Sequence, residues 1–169
     1  VSSTLVFVRT KHGTDRLAKA LGRFGFSAEP IHGGHTQNRR QRAINGFRKG
    51  HHNILVATDV AARGLDVRGI THVINYDVPG SSDDYIHRIG RTGRANSDGD
   101  AITFVSPGEG KELGSIERAI GRKIDRVAWD GEVFIGSNGN SNGVRSFVPT
   151  GKNYRRTRRP RGETKMRRY

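Results

Sequence analysis

Short apolar runs alternate with stretches of helical spacing through the first 130 or so residues of the chain. Leu5-Val6-Phe7-Val8 offers no polar alternation, the pattern of a strand buried on both faces. Thr14 to Phe24 then places Leu17, Ala18, Leu21 and Phe24 at i, i+1, i+4 and i+7, predicting a helix that stops at Gly25. Ser27 to Ile31 reads as a second strand. Thr36 to Phe47 reads as a helix capped by Thr36, with Ile44 and Phe47 facing inward. The strand series continues with Asn53 to Ala57, His72 to Tyr76 and Ala101 to Val105. Helices are expected from about Asp83 to Arg91 and from Glu109 to Ile120, the second closed by Gly121, and Ile124 to Ala128 is a candidate edge strand. Such alternation with short links predicts an α/β fold, a parallel sheet with helices on both faces. Ligands of such sheets gather at the carboxyl ends of the strands.

The pattern changes at Gly136. Gly136 to Gly143 reads Gly-Ser-Asn-Gly-Asn-Ser-Asn-Gly, a flexible linker by composition. From Arg145 to Tyr169 there are ten Lys or Arg against one acid, Glu163, which is +9 of the chain's +14. With little to bury, this stretch is expected to be a disordered basic tail suited to a polyanion. The division is therefore a domain over 1–135 and a linker with an Arg-rich tail over 136–169. Tyr154 and Tyr169 give the tail aromatic faces for stacking on bases, beside arginines that neutralise phosphate.

Composition narrows the chemistry. With no cysteine among 169 residues, a disulfide framework, a thiol nucleophile and a Cys-based zinc site are all excluded. The seven histidines form no His-Glu-x-x-His, and no Gly-x-Ser-x-Gly elbow occurs, so neither a zinc hydrolase nor a serine hydrolase is indicated. No apolar run approaches the ~18–20 residues of a membrane span, and no secretory signal is recognisable. The expectation is a cytoplasmic protein with no membrane partner, nucleus or nucleoid being alternatives. The chain opens on Val1 and runs straight into a strand, as expected of a piece of a longer protein or of a processed terminus.

Three segments carry candidate chemistry. Asp84 to Arg94 sets arginines at 88, 91 and 94, with glycines at 90 and 93 that end a helix and aim the later arginines outward. Arginine suits phosphate, being permanently charged with a planar fork that matches two oxygens. A basic helix end satisfying its own carbonyls is the better explanation of three arginines alone, though it does not explain the paired glycines or the adjacent His87. Ala57 to Asp66 follows an apolar strand, so Thr58 and Asp59 fall at its carboxyl end. There Arg63 offers a phosphate contact and Asp66 an acceptor for a ribose hydroxyl. An N-cap and surface loop fits that pattern as well. His32 to Arg40 is a Gly-rich turn entering a helix, whose N-terminal amides can meet phosphate. It is not a Walker A loop, since Gly-x-x-x-x-Gly-Lys-Ser/Thr occurs nowhere.

In order and spacing these segments resemble the C-terminal RecA-like lobe of DEAD-box RNA helicases, over about Leu5 to Val105 and more loosely to Gly121. Leu5 to Thr10 is similar to motif IV, Gln37 with Arg40 to the Gln-x-x-Arg motif, and Ala57 to Asp66 to motif V. His87 to Arg94 reads HRIGRTGR, motif VI. The resemblance implies that Arg91 and Arg94 are arginine fingers for the γ-phosphate of ATP. It implies that Asp66 contacts the ATP ribose, and that His87 links two lobes in the closed state. It implies RNA backbone contacts at Arg40, Thr58 and Arg63, with Gly33 and Gln37 as weaker candidates. Arg88 receives no such role and is read as holding the turn. Gly34 departs from the pattern, since many members carry an acid there.

The same resemblance implies what the chain lacks. The Walker A lysine, the Asp-Glu-Ala-Asp box, the Ser-Ala-Thr motif and the adenine-reading glutamine belong to an N-terminal lobe and are absent here. The expected function is the second lobe of an ATP-dependent RNA helicase, a hydrolase that unwinds or remodels duplexes and is inactive without its first lobe. ATP with Mg2+ is the expected cofactor, the magnesium being held by the first lobe. RNA and that lobe are the expected partners. The rivals are a lobe from a DNA-acting helicase of the same superfamily and a non-catalytic RNA-binding module.

Overall fold

The computed structural model describes residues 3–65, 67, 69–93 and 99–126, with the backbone of 133–134 and 146–147. Five strands form one parallel sheet: β1 (Thr4–Phe7), β2 (Ala28–Ile31), β3 (Ile54–Ala57), β4 (His72–Asn75) and β5 (Asp100–Thr103). Their spatial order is β2-β3-β1-β4-β5, with Leu5 opposite both Leu55 and Val73. Side chains alternate across a strand. Leu5, Phe7, Leu55, Ala57 and Val73 therefore meet Ala43 and Phe47 on one face, while Val6, Val8 and Val56 meet Ala18, Leu17 and Leu21 on the other. Both faces being covered, Leu5 to Val8 and Ile54 to Ala57 are apolar throughout. Leu55 is 1% exposed, and replacing it with alanine would cost about 2–5 kcal/mol.

The helices are α1 (Lys11–Arg23), α2 (Gln37–Arg48), α3 (Asp59–Ala62), α4 (Ser82–Ile89) and α5 (Gly110–Ile120). Helix α1 starts three residues before the expected Thr14, because the Thr10 side chain accepts from the Gly13 amide and caps it. A Cβ on Gly13 would stand 2.9 Å from both Thr10 Oγ1 and Val8 Cγ1, so this glycine lets the helix close onto the end of β1. Thr36 caps α2 as expected, its side chain accepting from Arg39 N. Gly121, at φ 69°, ends α5 in the left-handed conformation.

Three differences from the sequence reading are physical. The segment after β3 winds into one helical turn, α3, too short to show an apolar period. The mostly apolar run Ala101 to Val105 is largely exposed because β5 is an edge strand, and Ile102 and Phe104 remain 44% and 38% exposed. Ile124 packs onto the cluster of Val78, Tyr85 and Ile116, and Ile124 to Arg126 forms no strand. The last two residues of that candidate strand, Val127 and Ala128, lie outside the described residues.

The chain separates into two compact units, Val1–Asp125 and Arg126–Tyr169. In the second, β6 (Val133–Phe134) and β7 (Ser146–Phe147) pair antiparallel, bracketing the Gly/Asn/Ser linker. The expected division at 135/136 and the basic tail otherwise fall outside the described residues.

A candidate nucleotide and nucleic-acid site at the carboxyl rim of the sheet

The carboxyl ends of β1, β3 and β4 deliver Phe7, Thr58 and Asn75 to one rim, where α3 and α4 also end their approach. Helix α4 is set by Ser81, whose Oγ accepts from Asp84 N at 3.1 Å and donates to Asp84 Oδ2 at 2.8 Å. From that cap, Tyr85 and Arg88 fall three apart on the buried face, while Ile86 and His87 face outward.

Arg88 is 3% exposed and every arm of its guanidinium is engaged. Nε donates to Asp59 Oδ1 at 2.6 Å and Nη2 to Asp59 Oδ2 at 2.7 Å, a bidentate pair. Nη1 donates to Asn75 Oδ1 at 3.2 Å and to the Asp77 carbonyl at 3.1 Å. The group also lies over the Phe7 ring, 5.1 Å from its centroid. Asn75, fully buried, passes its own amide to Thr103 Oγ1 at 3.0 Å.

Arg91 stands just past the helix, where its Nη1 donates to the Leu65 carbonyl at 3.1 Å. Thr92 Oγ1 donates to the Ile70 carbonyl at 2.6 Å, holding the turn against the loop before β4. A Cβ on Gly99 would sit 2.6 Å from the Gly93 amide, so the chain returning to β5 must pass here as glycine. Arg63, on the turn after α3, reaches Asp84 Oδ1 at 3.4 Å, with its side chain 70% exposed. Together Phe7, Asp59, Ala62, Arg63, Asp84, His87, Arg88 and Arg91 line a small hollow. Asp66 and Arg94, expected at the same site, lie outside the described residues.

A second group surrounds the start of α2. Gly33 and Gln37 are exposed. Arg40 donates to Gln37 Oε1 at 3.3 Å and to the Ala61 carbonyl at 3.4 Å, joining α2 to α3. Its Nε is buried without a partner. Thr58 is 8% exposed, its amide donating to the Ile31 carbonyl at 3.2 Å. Helix α2 carries Arg39, Arg40, Arg42 and Arg48 and no acid, so the whole helix beside these groups is positively charged. The structure thus brings His87, Arg63 and Arg91 to one hollow, and Gly33, Gln37 and Arg40 to a neighbouring turn.

Sequence reasoning passed over a cluster beneath that turn. Asp15 on α1 accepts from His32 Nε2 at 3.1 Å and lies 3.7 Å from His35 Nε2. The three offer ligand atoms within 4.8 Å of one another. The Gly34 amide donates to His32 Nδ1 at 3.1 Å, which leaves the proton of a neutral imidazole on Nε2, so His32 donates to Asp15. In this tautomer His32 and Asp15 are hydrogen-bonded, while His35 stands beside Asp15 beyond hydrogen-bond distance. Burial pushes the His35 pKa down, aided by His32 and Arg39 and opposed by Asp15 and Glu29. Its Nδ1 is buried and unpartnered. Seventeen residues separate Asp15 from His32, and no local signal joins them.

This rim, with motif-bearing turns after successive parallel strands, defines a helicase lobe of the RecA-like class. Residues 1–96 match the family described as helicase conserved C-terminal domain, and the chain belongs to that family. Its likeness is to DEAD-box RNA helicases in particular. DEAD-box ATP-dependent RNA helicase CshA of Bacillus subtilis is 53% identical over 123 residues, covering 73% of this chain and 25% of the relative. The chain therefore spans about a quarter of the length of that relative. Among solved structures, the E. coli DEAD-box protein SrmB bound to regulator of ribonuclease activity A superposes with TM-score 0.72 at 41% identity, covering 76% of each chain. Mss116p DEAD-box helicase domain 2 bound to an RNA duplex superposes at 0.67 with 32% identity, over 74% of this chain and 50% of that one.

Among the described residues, no helix is long and apolar enough to cross a membrane.

Proposed function

We propose that this chain is the second lobe of an ATP-dependent RNA helicase. It supplies Arg91 and Arg94 to a shared ATP site, sets Asp66 at the ribose, and uses His87 to join the lobes when they close. RNA backbone is held by Gly33, Gln37, Arg40, Thr58 and Arg63. Phosphate contacts of this kind position a strand without reading its bases. That the Mss116p second lobe is described bound to an RNA duplex supports RNA contact by a lobe of this kind.

The observation that carries the reading is the split between two arginines of one motif. Arg88 is buried with every arm of its guanidinium on a protein partner, whereas Arg91, half-buried and held by the Leu65 carbonyl, lines the hollow beside His87 and Arg63. Cationic donors pre-aimed at a hollow are what a transferring phosphoryl group needs. Magnesium needs free carboxylate oxygens. In the hollow, Asp59 is taken by Arg88 and Asp84 by Ser81 and Arg63. Among the described residues of the hollow, these engagements favour a phosphate over a metal, which supports the reading that Mg2+ is held by the other lobe. At the shared site water attacks the γ-phosphoryl group and ADP leaves, while this lobe stabilises charge on the γ-phosphoryl oxygens.

ATP hydrolysis by the purified chain tests this, beside a two-lobe helicase that carries it. The chain alone should show no RNA-stimulated turnover. Arg91→Ala in the two-lobe protein should lower turnover by about 10³-fold or more. Turnover by the chain alone, or an Arg91→Ala protein that is fully active, would refute the reading.

A further inference from the structure

We propose that the Asp59–Arg88 pair is a positioning pin that couples the RNA-facing turn after β3 to the ATP-facing end of α4. The inference rests on the reading above and adds a means by which its two ligands sense each other.

The pin joins two segments at their functional ends. Asp59 directly follows Thr58 and opens α3, whose Ala61 carbonyl accepts from Arg40. The same segment runs on to Leu65, whose carbonyl accepts from Arg91. Arg88 directly follows His87 and precedes Arg91 by one helical turn. A shift of the β3–α3 turn under RNA must therefore carry Asp59, and with it the guanidinium on which the end of α4 is mounted.

The contact transmits orientation as well as charge. Two parallel hydrogen bonds at 2.6 and 2.7 Å fix the carboxylate plane to the guanidinium plane. Asn75 and the Asp77 carbonyl fix the third arm to the end of β4, and the Phe7 ring lies beneath. A lysine would keep the charge but contact the carboxylate as a point, with no plane to hold. Of the other links between these segments, Arg91 to the Leu65 carbonyl at 3.1 Å is one hydrogen bond to a neutral acceptor, and Arg63 to Asp84 at 3.4 Å is solvent-exposed and weak. The buried pair is thus the stiff connection. Coupling between two ligands is reciprocal, so the loss must be equal from either side.

The test uses the two-lobe protein with Arg88→Lys and, separately, Asp59→Asn. RNA affinity is measured with and without a non-hydrolysable ATP analogue, and analogue affinity with and without RNA, alongside the thermal midpoint. The expected result is RNA affinity without nucleotide, and analogue affinity without RNA, each within about twofold of the parent. The mutual tightening, typically about 5–150-fold in coupled systems, should fall by at least about fivefold and by the same factor from both sides. Mutual tightening at the parent level overturns the proposal, whatever the thermal midpoint does, because the pair would then only stabilise the fold. If neither charged variant folds, Asn75→Ser keeps the pair but removes one support of Arg88. A partial loss of tightening in Asn75→Ser then supports the pin, and full tightening refutes it. Arg91→Ala is run in parallel. If it abolishes turnover while Arg88→Lys keeps its tightening, the pin alone fails; if it turns over normally, the underlying reading fails.

Discussion

The end of α4 and the start of α2 use similar side chains, arginine and histidine with one carboxylate, in opposite states. At α4, Arg88 spends its donors on Asp59, Asn75 and a carbonyl, and the carboxylate answers with both oxygens. At α2, one carboxylate, Asp15, is shared by two histidines, while His35 Nδ1 and Arg40 Nε are buried with no partner. The first region is finished by the protein alone. The second holds polar groups whose burial is uncompensated, a state that costs free energy until another group meets them. A lobe that must hold one geometry for phosphate chemistry and adapt to an irregular strand has use for both.

Mutations sharpen the contrast in decreasing order of effect. Arg88→Ala should destabilise the chain by about 3 kcal/mol in denaturant unfolding, the low end for a broken buried pair, because Asp59 is 31% exposed. A loss below about 1 kcal/mol would mean that the pair holds nothing. Arg40→Ala should leave stability nearly unchanged and weaken RNA binding by about tenfold, the worth of a charge-assisted hydrogen bond. It should also reduce the salt slope by about 0.7, as for one single-strand phosphate contact. An unchanged slope would remove Arg40 from the RNA contact.

The smallest effect concerns acid. The pKa of His35 is depressed in the folded state, so the unfolded chain binds the proton more readily. The His35 contribution to stability is therefore full above about pH 6.5. It is lost as pH falls from there through the lowered folded value. Denaturant unfolding at pH 7.5 and 5.5 should show a smaller acid loss in His35→Gln than in the parent, and equal losses would dismiss this assignment.

Much of the fold was legible in the sequence because both faces of the sheet are covered. Runs such as Leu5-Val6-Phe7-Val8 and Ile54-Leu55-Val56-Ala57 have no other use in a chain of this composition. Helix ends were legible where a capping residue stood beside a period, as at Thr36 and Gly121. The start of α1 was missed because Gly13 looks like a break, when it is in fact a point of close approach to Val8. At the site, composition cannot separate Arg88 from Arg91, which are chemically identical and three residues apart. What separates them is depth: Arg88 shares a helix face with Tyr85 and meets Asp59 from 29 positions away. The helical period hints at the first fact, and only the fold supplies the second. The Asp15–His32–His35 triad was illegible for the same reason, being made by α1 lying under the turn after β2.

The strand order also sets a timetable for synthesis. β1 is made first and ends at the centre of the sheet, yet β2, made next, is not its neighbour; the slot between them belongs to β3. Thr4 and Ala28 both pair with Ile54. Within this lobe, β1 and β2 are both made before β3, the strand that joins them, so neither has its ladder partner until β3 follows. At about 5–20 residues per second that interval lasts several seconds. When Ile54 to Ala57 emerges, three strands lock in a single event. The far edge of β1 then stays open until His72 to Asn75 is made, so the first commitment of the lobe is central but leaves one edge to be covered.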